Sequence, residues 1–211
     1  DSRAVSAAEA ASRTHAAMQP HQQIAQHGWL FKKIDSTLRG NPGAEVAAAL
    51  QVSAKRLALV VPAVPKLGRI TRGGEVWIHQ QRLTDTEFAS DPKTPVTSSN
   101  VLTRLQMQCD LPGEQIDLAT VRSGALAARL ATSQGLLVLD AELQADIDTI
   151  IAAAATLPER PLLVGASGLS DALGAHLAAR PSRPVLAIVG SMSAMAQQQI
   201  ARLASQRDIR L

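Results

Sequence analysis

The chain has 211 residues, 46% of them apolar and 18% charged, a balance that can bury a core and excludes an intrinsically disordered polymer. Its net charge of +3 is mild, its Lys and Arg are scattered, and aromatics reach only 2% with no Tyr, so a nucleic-acid surface of basic blocks and stacking rings has little support. The single cysteine, Cys109, excludes an internal disulfide or a multi-cysteine metal site, no apolar run approaches the roughly 18 residues of a membrane span, and no signal-peptide pattern opens the chain, so a cytoplasmic setting fits.

In chain order, Ser6 and Glu9 have capping-box spacing at the start of an Ala-rich first helix, which is interrupted near Pro20 and stops by Gly28. "WLFKKID" (29–35) reads as a strand, and after its turn "GAEVAAALQ" reads as a helix with Asn41 as N-cap and Pro42 at the first helical position. "LALVVPA" (57–63) is a continuous apolar run, the mark of a strand buried on both faces. "GEVWIHQQRL" suggests an antiparallel excursion near residues 74–85, followed by a long polar loop. Ser98 or Ser99 is expected to cap the next helix, where Cys109 reads as a packed core thiol.

"IDLAT" (116–120) reads as a short strand and "VRSGALAARLATSQG" as a helix closed by Gly135. "LLVLDA" is a strand, and Leu143, Ile147, Ile150, Ile151 and Ala154 then share one helical face. "PLLVGAS" leads into the helix "SDALGAHLAA"; "RPSRP" is the best linker, before a further strand-helix unit. The alternation predicts an α/β fold with a largely parallel sheet flanked by helices.

In such sheets ligands bind beyond the carboxyl ends of the strands. Three loops have that address: "KKIDSTLRGNPG", "GASGLS" and "GSMS". Each combines Gly with hydroxyl residues, which suits an anion near backbone N–H groups. Asp35–Asn41 and Gly165–Gly168 are therefore expected at the same sheet edge. In the first loop Lys32, Lys33 and Arg39 supply positive charge, with Arg39 able to hold a carboxylate in a two-pronged contact. Ser36 and Thr37 can bond sugar-type hydroxyls, and Asp35 can take a proton from an attacking hydroxyl. Spacing alone serves a solvated, well-capped turn equally well, and "GASGL" serves a plain strand-to-helix turn. No His–acid pair activates Ser167, no Walker A sequence is present, and the five histidines show no metal-ligand pattern.

Taken together, these strings resemble the four-carbon acid sugar kinases, which phosphorylate tetronates such as threonate and erythronate. "DSRAVSAAEA" is similar to the family's Ser-Arg segment, and "FKKIDSTLRGNPGAEV" to its most distinctive motif. "VVPAVPKLGRITRGGEVWIHQQRLTDTEFASDP" resembles the following strand, Gly-Arg turn and Thr-Glu-Phe loop, and "VLDAE", "GASGL" and "GSMS" recur in order. The resemblance implies a substrate-binding domain over 1–180 and, from 184 to 211, the start of a nucleotide-binding domain. It implies ATP with Mg2+, a sugar-acid substrate, and transfer to a terminal hydroxyl. Asp35 would be catalytic. Ser2, Arg3, Lys32, Lys33, Ser36, Thr37, Arg39, Gly40, Gly165, Ser167 and Gly168 would bind the acid sugar, and Ser191 and Ser193 would meet ATP.

The chain departs from the family pattern at Ala166, Met192 and Ala196, which bears more on the ATP side than on the sugar side. The family's opening Asp-Asp-x-Thr-Gly loop and later Gly-rich ATP segment do not occur in it, and both ends read as cuts in something longer. A second reading is therefore a truncated or degenerate acid-sugar-binding module without phosphotransfer. The sequence leaves the tetronate stereoisomer and any homo-oligomer open.

Overall fold

Five parallel strands form the central sheet: β1 (Leu30–Lys33), β2 (Leu57–Val61), β6 (Gly113–Ile116), β7 (Gly135–Leu139) and β8 (Leu162–Gly165), in the order β1-β8-β2-β7-β6. The computed structural model describes residues 2–179 and, beyond them, helical residues 195, 197–199, 201 and 202; Ser2–Ala179 form one compact unit. Helices cover both sheet faces, which is why β2, β7 and β8 are buried at every position and read as unbroken apolar runs. The period-2 alternation of a strand divides these side chains between two cores. Leu57, Leu59 and Val61 pack with Ile147, Ile150 and Leu169, whereas Ala58 and Val60 pack with Leu38, Val46 and Leu105.

On one face lie α1 (Ala7–Met18), α2 (Gln22–His27), α3 (Pro42–Ser53) and α4 (Val101–Gln106). Ser6 Oγ accepts from Glu9 N at 3.2 Å to start α1, and a 3-10 turn at Gln19–His21 absorbs Pro20. Asn41 does precede α3, but its side chain makes no cap bond there. It donates instead to Ser2 O and Val5 O, both at 2.9 Å, tying the start of the chain to the loop after β1. The antiparallel excursion is a three-stranded sheet of β3 (Arg69–Arg72), β4 (Glu75–Ile78) and β5 (Gln81–Arg82).

Local expectations fail where a side chain competes for the backbone. Asp117 accepts from Thr120 N at 2.8 Å and turns "DLAT" into α5 (Leu118–Arg122), so the strand ends at Ile116. Ser123 closes α5, and α6 (Leu126–Thr132) starts anew before Gly135 opens β7 with φ +77°. Asn100, not Ser98 or Ser99, caps α4 through Thr103 N at 2.9 Å, because Ser99 Oγ accepts from Thr84 N. Cys109 follows α4 and is half-buried against the second core. Leu143 precedes α7 (Gln144–Thr156) and is exposed, while Asp146 accepts its N–H. The remaining helix is α8 (Ser167–Ala178).

Because all five strands run the same way, their carboxyl ends share one edge. Lys33 and Val61 both stand opposite Gly165, and Ile34 N donates to Gly165 O at 2.9 Å. The loop after β1 and the turn after β8 thus leave the sheet side by side, as the motif positions require for a shared pocket.

Candidate functional site

The loop from Ile34 to Asn41 is folded by its own polar side chains. Asp35 accepts from Thr37 N at 3.3 Å and Thr37 Oγ1 at 2.9 Å, an Asx-type turn. Leu38 N closes the turn onto Asp35 O at 2.9 Å. Leu38 takes a left-handed φ of +56° while its side chain is fully buried in the second core. Core burial offsets that strain, on the order of 1–2 kcal/mol for a residue with a Cβ. Gly40 is left-handed too, at +85°, and a Cβ there would lie 2.9 Å from Arg3 Cγ. Its carbonyl accepts from Arg104 Nη2 (3.2 Å) and Gln108 Nε2 (3.0 Å).

Between these two left-handed residues Arg39 is presented to the polar side of the loop. Its Nε donates to Asp35 Oδ2 at 2.6 Å and to Thr37 Oγ1 at 3.0 Å. Its Nη1 donates to Asp91 Oδ2 at 3.2 Å, and its guanidinium lies 5.1 Å from the centre of the Phe88 ring. Asp91 is itself fixed by Lys93 N (3.0 Å) and Thr94 N (2.9 Å). Arg69 approaches the same ring at 5.8 Å and donates through Nη1 to Ser36 Oγ at 2.6 Å.

The electrostatics follow from these contacts. Burial pushes the Asp35 carboxyl up, but the hydrogen bonds from Arg39 and Thr37 outweigh it and hold the group below the ordinary carboxylate value. The backbone N–H groups of Thr94 and Lys93, aided by Arg39, hold Asp91 down at about 2. For Arg39 burial works against the charge, and Asp35 and Asp91 more than compensate, so its pKa is raised.

A second network sits beside the first. Ser2 Oγ donates to Glu45 Oε1 at 2.5 Å, and Lys32 Nζ lies 2.5 Å from Glu45 Oε2 and donates to Lys33 O at 2.7 Å. Lys33 is exposed and has no ion pair among the described residues. Ser2, Arg3, Lys32, Asp35, Ser36, Thr37, Arg39 and Gly40 are thus brought together at the carboxyl end of β1. Gly165 adjoins them through Ile34 N, and Gly168 follows in the first turn of α8. A Cβ at either would come within 2.5 Å of Val61 O or Ala63 O, so close packing against the chain after β2 accounts for both glycines. Ser167 is exposed at the start of α8. Ser191 and Ser193 lie outside the described residues.

Asp140, in the "VLDAE" string, stands at the same edge but serves the fold. Its carboxylate accepts from Gly73 N (2.7 Å) and Gly74 N (2.9 Å), holding the β3–β4 turn; burial raises its pKa. At the opposite edge, a cleft lined by Lys55, Arg56 and Arg160 has a volume of about 220 Å³. Lys55 Nζ there donates to Gln26 O, Gly28 O and Arg160 O, so its charge is satisfied by the fold itself. Among the described residues no three His, Cys, Asp or Glu side chains cluster to hold a metal.

Residue-by-residue reading of the sequence missed Arg69, Phe88, Asp91, Arg104 and Gln108. Phe88 carried a signal: it is one of two Phe in the chain, and it sits in a polar loop where packing alone gives no reason for an aromatic.

The model for a sugar-binding N-terminal domain matches residues 1–173. Over 95% of its length the chain is 42% identical to a D-threonate kinase of Salmonella typhimurium, covering 49% of that protein. It is 38% identical to a D-erythronate kinase of Heliobacterium modesticaldum (95% of this chain, 48% of the relative) and 33% identical to a 3-oxo-tetronate kinase of Pseudomonas fluorescens (80% and 41%). The chain spans about half the length of these curated relatives. Among solved structures, a domain of unknown function from Bordetella bronchiseptica, crystallised with bound citrate as a domain-swapped dimer, superposes with a TM-score of 0.73 at 33% identity, over 97% of this chain and 51% of that one. A Haemophilus influenzae protein at 20% identity shares the fold with the same TM-score, over 97% of this chain and 53% of that one. The match over most of the chain and the kinase relatives together show that the chain belongs to the four-carbon acid sugar kinase family, whose sugar-binding N-terminal domain it carries.

Proposed function

We propose that the protein containing this chain phosphorylates the terminal hydroxyl of a four-carbon sugar acid with ATP, and that residues 2–179 supply mainly the acid-sugar pocket. The observation that carries this reading is the Asp35–Thr37–Arg39–Asp91 network, fixed at the carboxyl edge of a parallel sheet. Its relatives' names and the Bordetella structure's citrate, a hydroxylated carboxylic acid, support an anionic hydroxylated ligand.

In such a transfer the hydroxyl oxygen forms a bond to the γ-phosphorus as the bond to the ADP oxygen breaks, and the hydroxyl proton leaves. Asp35 is the group suited to receive it. Its Oδ2 is held by Arg39 and Thr37, whereas Oδ1 takes only a 3.3 Å amide contact and keeps acceptor capacity for a hydroxyl. Ser2, Arg3, Lys32, Lys33, Ser36, Thr37, Gly40 and the Gly165–Gly168 turn frame the pocket, and Ser191 and Ser193 meet the nucleotide. Mg2+ accompanies ATP in this reading; Asp35 and Asp91 are both engaged by Arg39, and no described residue is assigned to the ion. A cytoplasmic, self-associating enzyme completes the proposal. No helix among the described residues is long and apolar enough to cross a membrane, and the Bordetella relative is a domain-swapped dimer.

The test is calorimetry and ADP release with D-threonate, D-erythronate and 3-oxo-tetronate on the full-length protein. Turnover of at least one is expected. Binding without turnover would favour the acid-sugar-binding module, and neither binding nor turnover would sink the reading.

A further inference from the structure

Two guanidinium groups meet the Phe88 ring, and they differ in what surrounds them. Arg39 faces two carboxylates, Asp35 and Asp91, so the three side chains together carry a net negative charge. Its Nε is already taken by Asp35 Oδ2 at 2.6 Å. A side-on carboxylate contact needs Nε and Nη2 of one guanidinium, the geometry that Arg122 shows with Asp146 in this same protein (Nε 2.8 Å, Nη2 3.0 Å). Arg39 would have to release Asp35 to offer that edge.

Arg69 has the opposite character. It has no carboxylate partner among the described residues, and its single side-chain hydrogen bond, from Nη1 to Ser36 Oγ at 2.6 Å, leaves the Nε/Nη2 edge uncommitted. It is half-buried, and its backbone is locked to the segment after β2 by Val64 N donating to Arg69 O at 2.8 Å. Ser36 is buried in the motif loop, so the bond to it ties Arg69 to the residues around Asp35. Lys33, likewise without an ion pair among the described residues, is exposed and offers a point charge in place of a planar fork, and Arg104 is buried with its Nη2 on Gly40 O.

We infer that Arg69, held by Ser36, receives the carboxylate of the acid sugar through its Nε/Nη2 edge, while the negatively charged Asp35–Arg39–Asp91 set faces the hydroxyl end. The inference rests on the proposed function and adds a polarity to it: acid group toward β3, reacting hydroxyl toward the β1 loop. It also separates two arginines that lie against one ring. Arg69 binds the substrate, and Arg39 organises Asp35.

Calorimetry on the full-length protein tests this with whichever of D-threonate, D-erythronate and 3-oxo-tetronate the wild type binds, and with that ligand's neutral amide. Arg69→Lys and Arg69→Gln are expected to weaken the acid about 30-fold or more, as for one lost member of a hydrogen-bonded charge pair, and to leave amide binding as in wild type. Ser36→Ala, which keeps the Arg69 guanidinium but removes its tether to the motif loop, is expected to raise KM for the acid. Wild-type affinity for the acid in both Arg69→Lys and Ser36→Ala overturns the assignment of Arg69 alone. Absence of wild-type binding to all three acids overturns the proposed function and this inference with it.

Discussion

Arg39 reaches Asp91 at 3.2 Å across 52 residues of sequence, and that bond joins the motif loop after β1 to the polar loop beyond β5. Without it, Arg39 would be a local partner of Asp35 inside one turn. With it, the guanidinium is fixed from two directions, and Asp35 Oδ2 is fixed by the guanidinium. Asp91 is rigid because Lys93 and Thr94 grip its other oxygen. Preorganisation of this kind sets reacting groups within the narrow geometry that transfer requires.

Asp91→Asn tests that relay. Because Asp91 is held near 2 against an ordinary 3.8, its folded value is the lower one. Its contribution to stability is present above the unfolded value and lost as pH falls toward 2. The urea midpoint of Asp91→Asn is expected to fall less steeply than wild type over that acid range. With Arg39 held from one side only, kcat/KM for the tetronate is expected to drop by roughly 10- to 100-fold at neutral pH. Identical acid profiles in the two proteins would remove Asp91 from the relay.

Asp140 gives the opposite sign. Burial raises its pKa, while the N–H groups of Gly74 and Gly73 pull it back. The proton-linked part of its contribution is therefore present below the unfolded value and lost as pH rises through the folded one, while its hydrogen bonds to Gly73 and Gly74 remain. Asp140→Ala would leave the buried Gly74 N–H without its acceptor, at a cost of about 1–3 kcal/mol. Chemical denaturation is expected to show that loss at neutral pH, together with a steeper decline in acid, since the compensating carboxyl is gone.

Arg104 is buried, has no carboxylate among the described residues, and its Nε meets no acceptor. Burial lowers its pKa. Arg104→Met removes a poorly paired buried charge while keeping side-chain volume, so the thermal midpoint is expected to hold or rise. Gly40 O then keeps only Gln108 as donor, and tetronate affinity is expected to fall. A large drop in the midpoint would show that this guanidinium stabilises the fold.

The sheet was legible because strands buried on both faces leave an unbroken apolar record, as in β2 and β7. The common edge of the loops after β1 and β8 followed from parallel topology alone. "IDLAT" was misread because a single Asp117 side-chain bond moves the strand boundary, and composition does not register one bond. The partners of the motif were hidden for a different reason. Arg69 meets Ser36 and Asp91 meets Arg39 only after β3 and the following loop pack onto the sheet. Nothing in local periodicity encodes that contact; its traces were an aromatic in a polar loop and the family resemblance of the Gly-Arg and Thr-Glu-Phe strings.

Asp35→Asn addresses the chemistry directly. Asp35 is the carboxylate with remaining acceptor capacity at Oδ1, and Arg39 and Thr37 keep it ionised below the ordinary range. If it receives or orients the hydroxyl proton, the amide, which cannot take up a proton at neutral pH, should lower kcat by about 100- to 10,000-fold. KM for the tetronate should change far less, since Arg69 rather than Asp35 holds the acid group. The sign of the shift adds a second readout. A depressed pKa means Asp35 is already fully ionised at mildly acidic pH, so the wild-type kcat profile should show no acid limb from this residue between about pH 5 and 8. A limb in that range that disappears in Asp35→Asn would mean that substrate binding raises the carboxyl. Unchanged kcat in the variant would leave Asp35 as an anchor for Arg39 and nothing more.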